Sequence, residues 1–316
     1  MQARAVGLAA GFAADRLLGD PATGHPVAAF GRFAHGVELR VWADDVVTGA
    51  AYTAVLVGSA GAAGAVIARA TRRRPFLQAV TTAAATWAVL GGRSLGREAE
   101  AVRRHLARDD LPAARRRLTH LVGRDTEALD AGEISRAVVE SVAENTSDAV
   151  VAPLLAGAVA GVPGLMAYRA ANTLDAMVGH RSERYDRFGR ASARLDDLLN
   201  LVPARLSALL AAGLASAVGG DTRRALEVWR RDAPHHPSPN AGPVEAAFAG
   251  ALDVQLGGVN TYRDRVEDRH RLGDGRPVEP DDITRSVRLA ELVGAAALGV
   301  AVVTAMRPSR RRPAGR

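Results

Sequence analysis

Two residue types that carry much enzyme chemistry are missing from this chain of 316 residues: it has no cysteine and no lysine, so all 41 basic side chains are arginine. Without cysteine there is no thiol nucleophile, no disulfide and no thiolate-ligated zinc. Without lysine there is no P-loop phosphate ligand, no Schiff base and no lysine to adenylate. Neutralising phosphate charge therefore falls to arginine or to a metal ion. Aromatic residues make up only 4% of the chain, which leaves little for stacking nucleic-acid bases. The formal charge of +7 comes from arginines scattered among acids, and it does not read as a nucleic-acid footprint. No cleavable signal peptide is expected, because Asp15 and Arg16 interrupt the apolar start and no cleavage site follows.

What the chain does have is long uncharged stretches. Residues 50–68, 75–92 and 149–168 each approach the length of about 20 residues that spans a bilayer. Residues 206–220 and 292–306 are shorter. All five are rich in alanine and glycine, which insert weakly but let helices pack closely. The expected fold is an all-α, multi-pass membrane helical bundle, with the core of a soluble bundle as the alternative. The polar segments read as amphipathic helices: Asp110 precedes Pro112 as an N-cap, Asp130 and Glu133 form a capping box, and a similar start falls at Asp281 or Asp282. Strand-period alternation is scarce. A single domain over 1–316 is expected, with 307–316 an arginine-rich disordered tail. "RATRRR" at 69–74 and the tail both favour the cytoplasmic side. If every apolar stretch spans, segments 93–148 and 221–288 would then lie outside. A re-entrant or buried stretch at 149–168, broken by Pro153 and "GVPG", would remove that conflict.

Four clusters stand out as candidates for chemistry. In "SVAENTSDAVVAPL", Glu140, Glu144 and Asp148 fall at i, i+4 and i+8, a stripe of like charge on one helical face. Either Arg136 neutralises it on a solvated face, or the carboxylates with Asn145 hold a divalent cation whose oxygen shell water or phosphate completes. The second cluster, from Tyr168 to Asn200, places Asn172 and Asp175 three apart and repeats an acid–amide pattern at Asp196, Asp197 and Asn200. Its arginines, Arg181, Arg184 and Arg187, suit phosphate, and a salt-bridged connector is the alternative. The third is "HHPSPNAGPVEAAF", where Ser238 and Asn240 lead into a helix start that attracts anions. His235 and His236 are adjacent there, and a zinc site is not expected. The fourth groups Asp15, Asp20 and His25 around turns, with a capping role favoured for the histidine.

Taken together, "DRLLGDP…GHPV…GR", "GRDTEALD…AVVESVAENTSDAVVAPL", "AYRAANTLDAMVGHRSERYDRFGRASARLDDLLNLVPARL" and "RRDAPHHPSPNAGPVEAAFAGAL…LGGVNTY" resemble the CobD/CbiB family, the adenosylcobinamide-phosphate synthases of vitamin B12 biosynthesis. The likeness runs in order from about Asp15 to about Leu292. It implies a multi-pass protein of the cell membrane that joins the carboxylate of adenosylcobyric acid to (R)-1-amino-2-propanol or its O-phosphate, as an amide, using ATP and Mg²⁺. No nucleic-acid partner is implied. The departures are Ala149 where glycine is usual, Arg169 where lysine is common, and the absence of a tryptophan from "NAGPVEAAF". With that chemistry as the guide, Glu140, Glu144, Asn145 and Asp148 become the expected metal ligands. Asn172, Arg181, Arg184, Ser238 and Asn240 become the phosphate or substrate contacts. Asp175, Asp196 and Asp197 become catalytic, binding further metal or accepting a proton from the amine. The active site is expected on the cytoplasmic side. The alternative function is a corrinoid-binding or transporting membrane protein without ligase activity.

Overall fold

The computed structural model describes residues 2–20, 24–180, 182–261 and 266–307. Among them the chain forms helices α1 (Gln2–Leu18), α2 (Pro26–Val41), α3 (Val46–Thr71), α4 (Pro75–Val89), α5 (Gly92–Leu106), α6 (Leu111–Leu118), α7 (Ala131–Thr146), α8 (Ala152–Ala160), α9 (Val162–Leu174), α10 (Arg190–Gly213), α11 (Thr222–Asp232), α12 (Ala241–Leu252) and α13 (Pro280–Met306). Two π-helical turns, Ser147–Val151 and Asp175–Gly179, follow α7 and α9. The helical expectation meets an exception in an antiparallel hairpin of β1 (Leu256–Thr261) and β2 (Val266–Leu272), which has a bulge between Gly257 and Val259. The expected tail from 308 onward and Arg181 lie outside the described residues.

Local signals set several of these boundaries. Asp130 and Glu133 exchange backbone hydrogen bonds at 2.8 and 2.9 Å, the reciprocal cap that starts α7. Asp110 caps α6 through the Ala113 N–H, 3.1 Å. α13 starts one turn before the expected point: its cap is Glu279, whose N–H donates to Asp282 at 2.9 Å. Asp282 is fully buried and is held by Arg276 at 2.7 and 2.8 Å and by Arg285 at 2.7 Å.

The apolar helices form a bundle whose closest contact rests on small residues. α1 and α4 run parallel, and a Cβ added at Gly7 would sit 2.5 Å from Thr82 Cβ; Gly11 repeats the arrangement on Thr86 one turn later. This spacing of small residues lets two backbones approach within an apolar layer. α3 lies antiparallel to α9, with Gly49 against Phe188 at one end and Gly64 against Pro163 at the other. Arg4, bonded to the Ala158 and Val159 carbonyls, marks the same end as Pro163. At the opposite end Trp87 donates to Gly19 O at 3.0 Å, and Gly91 N to Ala149 O at 3.2 Å. There the polar layer of α5, α6, α7, α11, α12 and the hairpin begins, and α13 starts in it before running into the bundle.

Of the five apolar stretches, two give helices long and apolar enough to cross a membrane, α3 and α13. Only 22% of the apolar window of α3 and 33% of that of α13 is buried in the protein, so neither is a core helix wrapped by its own chain. The stretch at 149–168 is divided into a π turn, α8 and α9, with the break at Gly161. Residues 75–92 give only the 15-residue α4, and 206–220 supply the end of α10 and a 3₁₀ turn.

Candidate active site

Segments far apart in sequence meet where the bundle joins the polar layer. A polar cavity of about 80 Å³ is lined by Glu144, Ser147, Asp148, Asp175, Asp196, Asp197, Asn200, Ser238, Asn240 and Ala241. Asp148 and Asp175 both stand on the π turns, a winding that recurs at functional sites. Asp196 and Asp197 come from α10, and Ser238 to Ala241 form the start of α12. Five carboxylates therefore share one small chamber, and among the described residues no arginine or histidine lines it.

Physics resists ionising all five. Burial raises Glu144, with Glu140 adding to the effect and Arg269 and Arg124 opposing it. Burial, then Glu144, Asp196 and Asp175, lift Asp148 well above the usual carboxylate range. Asp175 is pushed up to about 7 by burial and by Asp196, Asp197 and Glu144. Asp196 reaches about 6, chiefly through burial, although Asn172 and Asn200 hydrogen bonds hold it down. Asp197 is raised by burial against a hydrogen bond from Asn240. A cluster of this kind is relieved by protons or by a cation.

A second layer holds the acids in position. Arg169 donates to Asn172 Oδ1 at 3.2 Å, and Asn172 donates to Asp196 at 3.3 Å. Asn200 donates to Asp196 at 2.8 Å and accepts from the Tyr168 hydroxyl at 2.9 Å; that hydroxyl also meets Asp148 O at 3.0 Å. At the α12 start, Ser238 Oγ accepts from the Asn240 and Ala241 N–H groups at 3.3 and 3.1 Å. Those backbone donors are thus already engaged, so an anion here meets the helix dipole and the Ser238 and Asn240 side chains rather than bare N–H groups. Asn240 itself bridges Asp197 O, 2.8 Å, and Arg205, 3.0 Å.

The expected metal set is not brought together as a unit. Glu140 is buried in an ion cluster with Arg124 at 2.7 Å and Arg136 at 3.1 Å, and it accepts from Gly257 N at 2.9 Å. This is the neutralised outcome, with Arg124 a partner that spacing did not reveal. Asn145 turns back to Ser141 O at 2.9 Å and does not line the cavity. Only Glu144 and Asp148 of the four face it. Arg184 is elsewhere as well: it pairs with Glu38 at 3.0 Å and stacks on Trp42 with 4.6 Å to the ring centre. His236 accepts from Ser238 N at 3.1 Å and lies 3.8 Å from the wholly buried Glu245. His25 caps α2 through Val27 N, and Asp15 receives Arg93 N at the start of α5.

Comparison with known proteins decides the family. A model of the family described as CobD/Cbib protein matches residues 8–290. "Cobalamin biosynthesis protein CobD" of Mycobacterium tuberculosis (strain ATCC 25618 / H37Rv) is 51% identical over 312 residues, covering 99% of this chain and 98% of that protein. The chain belongs to the CobD/CbiB family. Its other relatives in this family include "Cobalamin biosynthesis protein CobD" of Geobacter metallireducens, 46% identical over 85% of this chain and 86% of that protein. "Cobalamin biosynthesis protein CbiB" of Salmonella arizonae is 43% identical over 93% and 94%. No solved structure matches the chain. Membership in CobD/CbiB places the protein in cobalamin biosynthesis.

Two positions where the resemblance implied departures from the CobD/CbiB pattern fall beside the cavity. Ala149 follows Asp148 in the π turn and passes its carbonyl to Gly91. Arg169 keeps a cation near Asp148 and Asp20 while its Nε stays buried without a hydrogen bond. Tyr168, Arg124 and Arg269 were not among the expected site residues, and Asn200 was named only as part of the acid–amide pattern. Tyr168 and Arg124 stand inside stretches that carry the family resemblance. Arg269 carries no local signal.

Proposed function

We propose that this CobD/CbiB protein is a membrane-embedded, ATP-dependent amide ligase that joins adenosylcobyric acid to (R)-1-amino-2-propanol or its O-phosphate, giving adenosylcobinamide or its phosphate. The observation that carries the reading is the chamber of five carboxylates with no basic side chain in its wall among the described residues. Its donors are all oxygens, which suits a hard cation such as Mg²⁺. Among the described residues no group of three or more histidine, aspartate or glutamate side chains is placed to hold an ion unaided. Mg²⁺ tolerates that situation, because it is usually held by one or two carboxylates, with waters and substrate phosphates filling the rest of its shell. Glu144 and Asp148 are the residues that would hold it, and when bound it supplies neutralisation of phosphate charge.

The remaining acids have work of their own. A carboxylate is a poor acyl donor until ATP converts it to an acyl phosphate or acyl adenylate. The attacking ammonium must also lose a proton. Asp175, at about 7, and Asp196, at about 6, are placed in the same cavity and titrate where a general base is useful. Ser238 and Asn240 at the α12 start would orient the amine substrate or its phosphate. α3 and α13, with the helices packed on them, would seat the bundle in the cell membrane; the use of ATP calls for the acid chamber at its cytoplasmic end, whereas the arginines of 69–74 lie at the opposite end of the bundle, beside Arg4 and Pro163.

The test is direct. Protein purified in detergent is incubated with adenosylcobyric acid, ATP, Mg²⁺ and each amine, and products are identified by mass. The expected product is the amide, formed only with ATP. Corrinoid binding without amide formation under all conditions would favour the binding or transport alternative and end the ligase reading.

A further inference from the structure

Glu144 has a second neighbour besides the acid chamber. On its other side lies a polar cavity of about 120 Å³, whose wall includes Gly123, Arg124, Ser141 and Arg269. Arg124 reaches it from the loop after α6 and is itself buried. Arg269 reaches it from β2. Glu140 organises both. It grips Arg124 directly at 2.7 Å, and it fastens the root of the hairpin through Gly257 N at 2.9 Å. Arg136 bonds both Glu140 and the Gly257 carbonyl, closing the clamp. Gly257 has φ +74°, and a Cβ there would collide with His270 O, so this attachment requires glycine.

The result is a charge sequence in space: oxygen donors, then Glu144, then two guanidinium groups, each with a carboxylate behind it, Arg124 at Glu140 (2.7 Å) and Arg269 at Glu267 (3.7 Å). A metal-bound polyphosphate has the complementary sequence, with a cation on one side and bare phosphate oxygens on the other. Arginine forks suit those oxygens. In a chain without lysine, arginine is the side chain available for the task. The cavity, about 120 Å³, is several times the space of about 10–15 Å³ that one water requires, so it has room for a phosphate group.

We infer that the cavity between Arg124 and Arg269 takes the phosphate tail of a nucleoside triphosphate, with the acid chamber on the metal side of Glu144. The identity of the anion rests on the ligase reading. The placement of the site rests on the two arginines.

Full-length protein in detergent is assayed for equilibrium binding of ATP and, separately, of inorganic tripolyphosphate, both with Mg²⁺ and without corrinoid or amine, so that no turnover is involved. Arg269→Gln is expected to weaken both by about tenfold or more, with adenosylcobyric acid binding unchanged, and Arg269→Lys to recover part of the loss. Arg269→Gln that melts like the parent and binds ATP within about twofold of it overturns the inference and leaves the ligase reading standing. Tripolyphosphate binding that depends on Arg269 without any ATP binding keeps the anion site and removes the nucleotide. Binding of neither ligand by the parent overturns both. Should Arg269→Gln fail to fold, the parent decides: ATP is expected to protect Arg124 and Arg269 from phenylglyoxal, read by peptide mass, and no protection overturns the inference.

Discussion

Glu140 and Glu144 stand one turn apart on α7 and meet opposite environments. Glu140 is compensated on every side, by Arg124, by Arg136 and by a backbone N–H from the hairpin. Glu144 faces Asp148, Asp175, Asp196 and Asp197 across a cavity with no basic group in its wall among the described residues, and meets Arg124 and Arg269 only on its other side. The first arrangement holds the polar layer together; the second is left short of positive charge, and that deficit is what a cation-dependent reaction needs. Equal spacing along a helix thus separates a structural ion cluster from a candidate catalytic one.

The sharpest way to break the comparison is to neutralise each acid in turn. Glu140→Gln leaves two buried or part-buried guanidinium groups short of a counter-charge, and breaking a buried pair in this way costs about 3–5 kcal/mol. A large fall in melting temperature, or loss of folded protein from detergent extracts, is expected. A variant as stable as the parent would mean that the cluster does not hold the hairpin. Asp148→Asn should do the reverse. It removes an acid whose ionisation burial and the neighbouring carboxylates oppose, so metal-free stability should hold or rise, while ATP-dependent amide formation falls by about 100-fold or more. Full activity in Asp148→Asn, measured as product mass per unit time, would remove Asp148 from the site.

A titration sharpens the same contrast. Asp175 and Asp196 have folded values of about 7 and about 6, raised from 3.8. Between the unfolded and folded values the folded state binds more protons, so stability declines as pH rises across that interval and the loss is complete above about 7. In metal-free buffer the melting temperature is therefore expected to climb by about 2–5 °C as pH is lowered from about 8 to about 6. Mg²⁺ added at the higher pH should restore part of that difference. A flat profile, or one falling toward acid, would show that the chamber is not strained by its own charge.

Much of this was readable beforehand where the controlling contacts are local. The Asp130–Glu133 cap and the Asp110 start are satisfied within three residues, so spacing sufficed. The acidic stripe was equally plain, but its sorting was not. Glu140 is claimed by Arg124, 16 positions away across a loop, and by Gly257, 117 positions away. The winding changes at Ser147, just before Asp148. Neither is encoded in an i, i+4 pattern. The hairpin was hidden for a related reason: "LGGVNT" spends two of its residues on positive-φ glycines, and "VEDRHRL" is too charged to show alternation. Apolar run length did not show where the helices end, because Leu90 and Gly161 break helices within runs that are continuous in composition.

The smallest expected effect tests the arginines against each other. Arg184 and Arg269 are both basic side chains within acid-rich stretches, and Arg184, which the sequence left open between a phosphate ligand and a salt-bridged connector, became an expected phosphate contact only through the family's chemistry. Yet Arg184 is bound to Glu38, stacked on Trp42 and close to the Tyr185 ring. The Glu38 carboxylate is occupied again by the Tyr185 hydroxyl at 2.8 Å. That group belongs to the packing of α2 against the loop before α10, and it is absent from the wall of either polar cavity. Arg184 is half exposed and screened by solvent, and the buried Glu38 keeps the Tyr185 hydroxyl and His35 without it, so the pair adds little. Arg184→Gln should therefore leave ATP affinity and amide formation as they are, with at most a slight drop in melting temperature. If it weakens ATP binding while Arg269→Gln does not, the phosphate tail lies on the α2 side of the bundle, and the division of labour around Glu144 must be redrawn.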